Sequence, residues 1–469
     1  MLGRTRRVHF VGIGGAGMSG IAEVLLNLGY EISGSDLADS PAIRRLRKLG
    51  AKVQIGHAPE NVVGTDVVVT SSALKEDNVE VLEARRIGLP VVPRVEMLAE
   101  LMRMKYGVAV AGSHGKTSTT SMIAEVLHGC GLDPTIVVGG RISTLGSGAR
   151  LGKGELMLAE ADESDGSFLK LKPTVAVVTN IDREHLDHYR DLDQIKEAFV
   201  QFLSRIPFYG AAVLCLADPG VQSILPRVEK RCLTYGFSGQ SDLQAGQVVL
   251  KGFGARYVVR FRGQRLGQVH LSVPGTHSVL NSLAAIAVGM EFGIGFAKIA
   301  PHLESFKGAD RRFQLRGEVR DIVVVDDYGH HPTEIIATLA AAREGFGRRL
   351  VVAFQPHRYT RTQALASEFN RCFNQADVLI VTEVYPAGEA PIPGVTGQVL
   401  TQGIKRHGHR DATYVESLDE VAPELARRAR PGDMVITLGA GSISRAGEAL
   451  LKLLGSSSSA ARSRRGARS

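Results

Sequence analysis

A chain of 469 residues is too long for one hydrophobic core, so its length points to two to four domains. Hydrophobic content of 44% and charged content of 22% exclude a wholly disordered or fibrous chain and fit a globular, enzyme-like one. The net charge of +8 does not argue for a nucleic-acid partner, because half of it lies in Ser456–Ser469, which carries four Arg and no acid and reads as a disordered basic tail.

The four cysteines (Cys130, Cys215, Cys232, Cys372) are scattered, with no Cys-x-x-Cys pair. That pattern suits reduced thiols in a cytoplasmic protein rather than a disulfide frame or a zinc site. Arg4, Arg6 and Arg7 ahead of an apolar run imitate a secretion signal, but the run is rich in glycine and broken by His9 and Glu23, as in a buried strand followed by a helix. No run approaches the ~20 apolar residues needed to span a bilayer.

In chain order, Arg7–Val11 reads as a strand, Gly12-Ile-Gly14-Gly15-Ala-Gly17 as a glycine loop, and the next residues as a helix through Leu28. A second strand ends on Asp36. This matches a dinucleotide-binding fingerprint: a diphosphate sits on a helix N-terminus, and an acid about twenty residues on faces a ribose or nearby hydroxyl. On its own it leaves an NAD-dependent oxidoreductase open. Ser71 and Ser72 follow the strand Asp66–Thr70, where they either meet a ligand or cap the next helix, Asn78–Ile87.

The densest phosphate signal is Val108–Thr120. An apolar strand runs into Gly112-Ser113-His114-Gly115-Lys116-Thr117-Ser118 and then into a helical pattern. Glycines let backbone N–H groups turn toward phosphate oxygens, Lys116 reaches the outer phosphates, and the Thr117 hydroxyl suits Mg²⁺. The spacing departs from the common loop, with two residues rather than four between the first glycine and the Gly-Lys pair. Val137–Gly140 and Gly146–Gly148 read as loops near this site.

The strand Glu155–Ala159 runs into Glu160, Asp162, Glu163 and Asp165. Four acids so close repel unless a cation joins them, so a Mg²⁺ site is expected there. The strand Thr174–Thr179 ends in a segment holding His185, Asp187 and His188. Residues 248–273 alternate apolar and polar, as antiparallel strands do. His277 and Asn281, four apart, share a face at the start of a long apolar helix. Arg311 and Arg312 suit phosphates. Ile322–Asp327 is a buried strand that delivers Asp326, Asp327, Tyr328, His330 and His331 to its end. Leu350–Phe354 repeats the pattern with His357, Arg358 and Arg361, a set suited to carboxylate or phosphate oxygens. The strands Val378–Thr382 and Met434–Leu438 complete a second doubly wound unit.

Together GSHGKT, EADESD, NIDREHLDHY, HSVLN, DDYGHHPTE and HRYTRT resemble the Mur ligases, ATP-dependent amide ligases of peptidoglycan precursor synthesis, over residues 7 to about 453. With the opening VGIGGAGMSGIAEVLL, the likeness is greatest to members that join L-alanine to UDP-N-acetylmuramate. A ligase that recycles murein tripeptide onto the same UDP-sugar is the nearest alternative.

The resemblance implies an α/β chain of three domains: a Rossmann-like UDP-sugar domain (1–106), a central ATPase with a smaller antiparallel sheet (107–318) and a Rossmann-like amino-acid domain (319–455). Flexible junctions near residues 106 and 318 would let it close. It assigns Gly12, Gly14, Gly15, Gly17, Met18, Asp36, Ser71 and Ser72 to the UDP-sugar. Gly112 through Ser118, His277, Asn281 and Arg312 go to ATP, and Thr117, Glu160 and His185 to Mg²⁺. Tyr328, His357, Arg358 and Arg361 go to L-alanine. Lys116, His330 and His357 are the catalytic candidates, with His331 as a further possible base. The expected partners are these small molecules, with no nucleic acid and no membrane span, in a monomer or weak homodimer.

Overall fold

The computed structural model describes residues 5–71, 74, 77–142, 147–186 and 188–466, leaving the side chains of 16, 139–142, 147, 148 and 456–466 aside. The described residues are α/β and form three sheets.

The first sheet comprises β1 (Arg7–Val11), β2 (Glu31–Asp36), β3 (Lys52–Ile55), β4 (Val67–Thr70) and β5 (Val91–Pro93), all parallel, in the order β3-β2-β1-β4-β5. The winding reverses between β1 and β4. A parallel sheet binds ligands beyond the carboxyl ends of its strands at such a reversal, and the glycine loop leaves β1 there.

The second sheet is built from β6 (Tyr106–Ala111), β7 (Thr135–Ile142), β8 (Ser147–Arg150), β9 (Leu156–Glu160), β10 (Val175–Val178), β11 (Ala211–Cys215) and β12 (Cys232–Gly236). It continues into a meander of β13 (Leu243–Lys251), β14 (Gly254–Phe261) and β15 (Gln264–Leu271). β6 lies between β9 and β10 and is parallel to both. The loop after β6 is therefore flanked by the ends of the two strands that deliver Glu160 and Asn180. The β14–β15 turn places Arg262 at φ +47° and Gly263 at φ +83°, the paired positive angles of a tight hairpin. Thr135–Ile142 forms a strand, which corrects the expectation of a loop at Val137–Gly140. Ile136, Val137 and Val138 are buried and β-branched, and they outweigh the two glycines that follow.

The third sheet holds β16 (Gln314–Val319), β17 (Ile322–Asp327), β18 (Arg349–Phe354), β19 (Val378–Val381), β20 (Ala412–Tyr414) and β21 (Asp433–Leu438) in the order β16-β17-β21-β18-β19-β20. β16 is antiparallel to β17 and the others are parallel. This sheet takes in Gln314–Val319, ahead of residue 319. The final helix runs Ser444–Gly466, into the segment whose composition suggests disorder, and residues 467–469 lie outside the described part.

Cα packing groups the chain into two compact units: Met1–Gly246, Val258–Val269 and Leu280–Lys307 in one, and Gln247–Tyr257, His270–Val279 and Gly308–Ser469 in the other. The first unit holds both N-terminal sheets. One hydrophobic cluster runs through it from Val8 and Phe10 through Met102 and Ala109 to Phe199 and Phe202. The junction near residue 106 thus lies against a continuous core rather than in a free linker.

A polar network backs the first sheet. The wholly buried Glu80 carboxylate accepts from Ser35 Oγ (2.5 Å), Asn61 Nδ2 (2.5 Å) and the Ala58 amide (3.3 Å), with His57 Nδ1 at 3.3 Å and His9 Nε2 at 3.5 Å. Burial alone would raise this carboxyl; hydrogen bonds from His9, Ser35 and Asn61 outweigh it and hold the group down at about 2. A folded value below the ordinary 4.5 contributes stability that is fully present above 4.5 and lost as pH falls through about 2. Glu80→Gln is expected to lower unfolding free energy at neutral pH by roughly 3 kcal/mol and to flatten its decline between about pH 5 and 2. Denaturant curves across that range check this, and parallel acid limbs in the two proteins would sink it.

Candidate active site

The phosphate loop is shaped by two glycines. Gly112 has φ +130°, and a Cβ there would lie 2.1 Å from Thr179 Oγ1, so no larger residue fits. Gly115, at φ +80°, is the N-cap of the helix Lys116–Gly129. This puts Lys116, Thr117 and Ser118 in the first turn, where unpaired amide N–H groups and the helix dipole favour an anion. The loop is laced to the end of β10. The His114 amide donates to Asn180 Oδ1 (2.8 Å), and Asn180 Nδ2 donates to His114 O (3.0 Å). Thr179 Oγ1 donates to His114 O (2.7 Å), and the Asp182 amide donates to Ser113 Oγ (2.9 Å). His114 Nε2 is 2.9 Å from Asp182 Oδ2.

Lys116 Nζ donates to Gly112 O (2.7 Å) and to both oxygens of Glu163 (2.8 and 2.9 Å). Burial works against the charged lysine, but Glu163 and Asp162 raise its pKa above the ordinary value, so it is an ammonium ion. Asp162 shows the converse: burial would raise its carboxyl, and Lys116 and the Ser164 hydrogen bonds hold it below the usual range. His185, at φ +55°, places Nε2 3.4 Å from Glu163 Oε1 and 3.9 Å from Glu184 Oε2. Burial disfavours its protonation, and Glu163 and Glu184 overcome that and raise its pKa. Glu160 closes β9, paired in register with Val110 of β6 and partly buried.

Of the residues expected to hold a metal, His185 is therefore seated against Glu163, a carboxylate that the sequence marked only as one of four acids. The donor set of the Thr117 hydroxyl, the partly buried Glu160 carboxylate and the His185 imidazole beside an anion-binding loop fits a nucleotide with a hard divalent cation; the imidazole is its atypical member.

The helix Thr276–Glu291 carries His277 and Asn281. Asn281 lies against the phosphate loop: a methyl on Gly115 would sit 3.1 Å from Asn281 Oδ1. His277 belongs to the second unit, where burial and then the nearby Arg312 push its pKa down to about 4, leaving it neutral at physiological pH. The adjacent arginines divide their work. Arg311 ties strand ends together, donating from Nε to Asp326 Oδ2 (2.9 Å) and from Nη2 to Gly439 O (2.7 Å). Arg312 lies over the Tyr328 ring at 5.1 Å, with Glu334 3.6 Å away.

At the N-terminal loop, Gly12 has φ +79°, Gly15 is the N-cap of the helix Ala16–Asn27, and Met18 is buried. Asp36 Oδ2 accepts from the Gly14 amide (2.8 Å) and Oδ1 from the Leu37 amide (2.8 Å), so this acid fixes the glycine loop. The Arg94 guanidinium fills the space a side chain at Gly17 would need, which the sequence did not signal. Ser71 faces Gly12, while Ser72 lies outside the described residues. The helix Val79–Arg86 is capped by Asn78, which accepts from the Glu80 (3.0 Å) and Val81 (3.3 Å) amides, so Ser71 does not cap it.

The second unit gathers a histidine–arginine cluster at the ends of β17 and β18. His330 Nδ1 is 3.1 Å from Tyr328 O and 3.4 Å from Glu334 Oε2. A carbonyl only accepts, so Nδ1 is the nitrogen that donates toward Tyr328 O. The His330 and His357 rings are 5.7 Å apart, and His357 stacks on Tyr385 at 5.5 Å. Burial, followed by His330, Arg361 and Arg358, pushes the His357 pKa down to about 3. His331 is used differently: its ring accepts from the Thr333 amide and it forms a capping box with Glu334 at the head of Pro332–Phe346. Arg361 Nη1 is 3.3 Å from His357 O, and Arg358 Nε is 3.5 Å from Glu389 Oε1.

Three family models match this chain in succession: the Mur ligase family catalytic domain over residues 7–106, the Mur ligase middle domain over 110–289, and the Mur ligase glutamate ligase domain over 311–441. The chain belongs to the Mur ligase family. Its curated relatives include UDP-N-acetylmuramate–L-alanine ligases of Geotalea uraniireducens and Geobacter sulfurreducens. Each is 58% identical, and each match covers 97% of this chain and 99% of the relative. Among solved structures, the UDP-N-acetylmuramate–alanine ligase of Thermotoga maritima superposes with TM-score 0.80 at 30% identity, covering 96% of this chain and 99% of that one. A murein peptide ligase of Psychrobacter arcticus gives TM-score 0.69 at 25% identity, covering 96% and 98%. In this Mur ligase the phosphate loop and its acid cluster fall within the middle-domain match, and the histidine–arginine cluster within the last.

Proposed function

We propose that this Mur ligase joins L-alanine to the carboxylate of UDP-N-acetylmuramate, giving UDP-N-acetylmuramoyl-L-alanine, ADP and phosphate through an acyl phosphate. The observation that carries this reading is the full-length likeness to L-alanine ligases at 58% identity. In it, residues 1–106 take the UDP-sugar, 107–318 the ATP and 319–455 the amino acid. The loop Gly12–Met18 holds the diphosphate on the N-terminus of the helix Ala16–Asn27, with Asp36 fixing Gly14 and Ser71 facing the loop. Gly112 through Ser118 cradle the ATP phosphates, and Lys116 and Arg312 neutralise charge as the γ-phosphoryl passes to the acceptor carboxylate. His277 and Asn281 contact the adenine. Mg²⁺ would be held by Thr117, Glu160 and His185, where it supplies further charge neutralisation on phosphate oxygens.

The acyl phosphate then meets the amine of L-alanine. Arg358 and Arg361 bind the alanine carboxylate, with Tyr328 beside them. The amine must lose a proton to attack. His357, with a pKa near 3, is a poor acceptor and orients the substrate; His330, its Nδ1–H anchored on Tyr328 O, presents Nε2 as the base. Collapse of the tetrahedral intermediate releases phosphate. Free thiols at all four cysteines suit a cytoplasmic enzyme.

Phosphate release from ATP with Mg²⁺ tests the reading. It is expected to require both UDP-N-acetylmuramate and L-alanine. Release with murein tripeptide but not L-alanine would move the assignment to the recycling ligase. No phosphate release with either acceptor, from folded protein that binds NAD, would restore the oxidoreductase.

A further inference from the structure

The ammonium of Lys116 is already satisfied by protein acceptors. Its partners are Gly112 O at 2.7 Å and the two Glu163 oxygens at 2.8 and 2.9 Å, with Ser113 O at 3.4 Å. A phosphate that recruits Lys116 must displace one of them. The two carbonyls belong to the loop backbone, which Thr179 and Asn180 lace in place, so they cannot leave without breaking the loop. Glu163 is the side-chain acceptor among these four, and it carries the negative charge that a phosphate would replace.

We propose that Glu163 is a positioning residue that clamps Lys116 in the nucleotide-free loop, and that arriving phosphate oxygens exchange with its carboxylate. This rests on the ATP reading given above. The main chain of Glu163 is anchored independently of its carboxylate: Tyr189 OH donates to Glu163 O (2.7 Å), as does the Gly166 amide (3.0 Å). Phe168, a few residues on, is wholly buried against Phe199 and Phe202. The exchange is therefore a side-chain rotation. On its far side the carboxylate has His185 Nε2 at 3.4 Å, a partner already in reach when Lys116 is taken. Glu163 is only 1% exposed, so solvent contributes little to holding the pair apart and the clamp competes directly with nucleotide.

The consequence runs opposite to that of a structural residue. Losing a structural support loosens the loop and weakens ATP binding, whereas losing a competitor strengthens it. A charge-assisted hydrogen bond is stronger than a neutral one, so losing the competing carboxylate registers directly in ATP affinity. Calorimetry on the full chain with ATP and Mg²⁺, without the other substrates, should show Glu163→Gln binding ATP about tenfold more tightly than wild type. The KM for ATP should fall by a similar factor. Glu163→Asp, whose shorter carboxylate reaches Lys116 less well, should gain about threefold and carries the test if the Gln variant does not fold. Unchanged or weaker ATP binding in a folded variant overturns the clamp. Failure of the wild type itself to bind ATP would instead overturn the underlying nucleotide assignment, and the clamp with it.

Discussion

Replacing Lys116 with alanine is expected to lower kcat by about 10³-fold or more while leaving UDP-N-acetylmuramate binding intact. Lys116 is the cation that the loop delivers at the first helical position, one residue after a glycine N-cap. The imidazole of His185 also lies against the Glu163 carboxylate, 3.4 Å away. The loss falls on phosphoryl transfer, where charge moves onto oxygens that this ammonium would face. The substitution also leaves the buried Glu163 without its counter-charge, so the melting temperature should drop as well. Single-turnover phosphate release and UDP-sugar titration, run on protein shown to be folded, separate the two effects. Retention of more than a tenth of the wild-type rate would contradict the assignment.

His330→Ala should lower kcat by about 10²–10³-fold with ATP affinity unchanged, because general-base assistance is worth that much and the residue lies outside the phosphate loop. The choice of His330 over its neighbours is geometric. His331 is committed to capping the helix Pro332–Phe346. His357 lies stacked on Tyr385 with its pKa pushed down to about 3, first by burial and then by the adjacent His330 and arginines. Steady-state kinetics with L-alanine at saturation check the prediction. If His357→Ala alone abolished turnover while His330→Ala kept it, the base would have to be reassigned.

Local features were legible in the sequence. A strand, a glycine turn and a helix in succession place Gly112, Gly115, Lys116 and Thr117 by chain connectivity alone, and the same holds for Gly12 through Met18. Contacts between distant segments were not legible. Glu163 reaches Lys116 across 47 residues, and Asn180 reaches His114 across 66; nothing in the EADESD run says which acid turns inward. By spacing the Asp36 carboxylate is a ligand for a hydroxyl, while its described bonds go to the Gly14, Leu37 and Ala38 amides, a role that spacing cannot separate from the first. Asn78, not a serine, caps the helix after β4, because the segment between them is long enough to place the cap late. At Thr135–Ile142 two glycines suggested a turn, but three buried β-branched residues ahead of them set the strand. Arg311 and Arg312 look equivalent in sequence; only the folded β17 and β21 ends show that the first is a structural tie.

Phosphorylation of the acceptor carboxylate by ATP before L-alanine attacks is open to an isotopic test. UDP-N-acetylmuramate carrying ¹⁸O in its carboxylate is turned over with ATP and L-alanine, and the released phosphate is analysed by mass. An acyl phosphate requires one labelled oxygen to leave with the phosphate. Phosphate without label, formed alongside the amide product, would exclude the acyl phosphate.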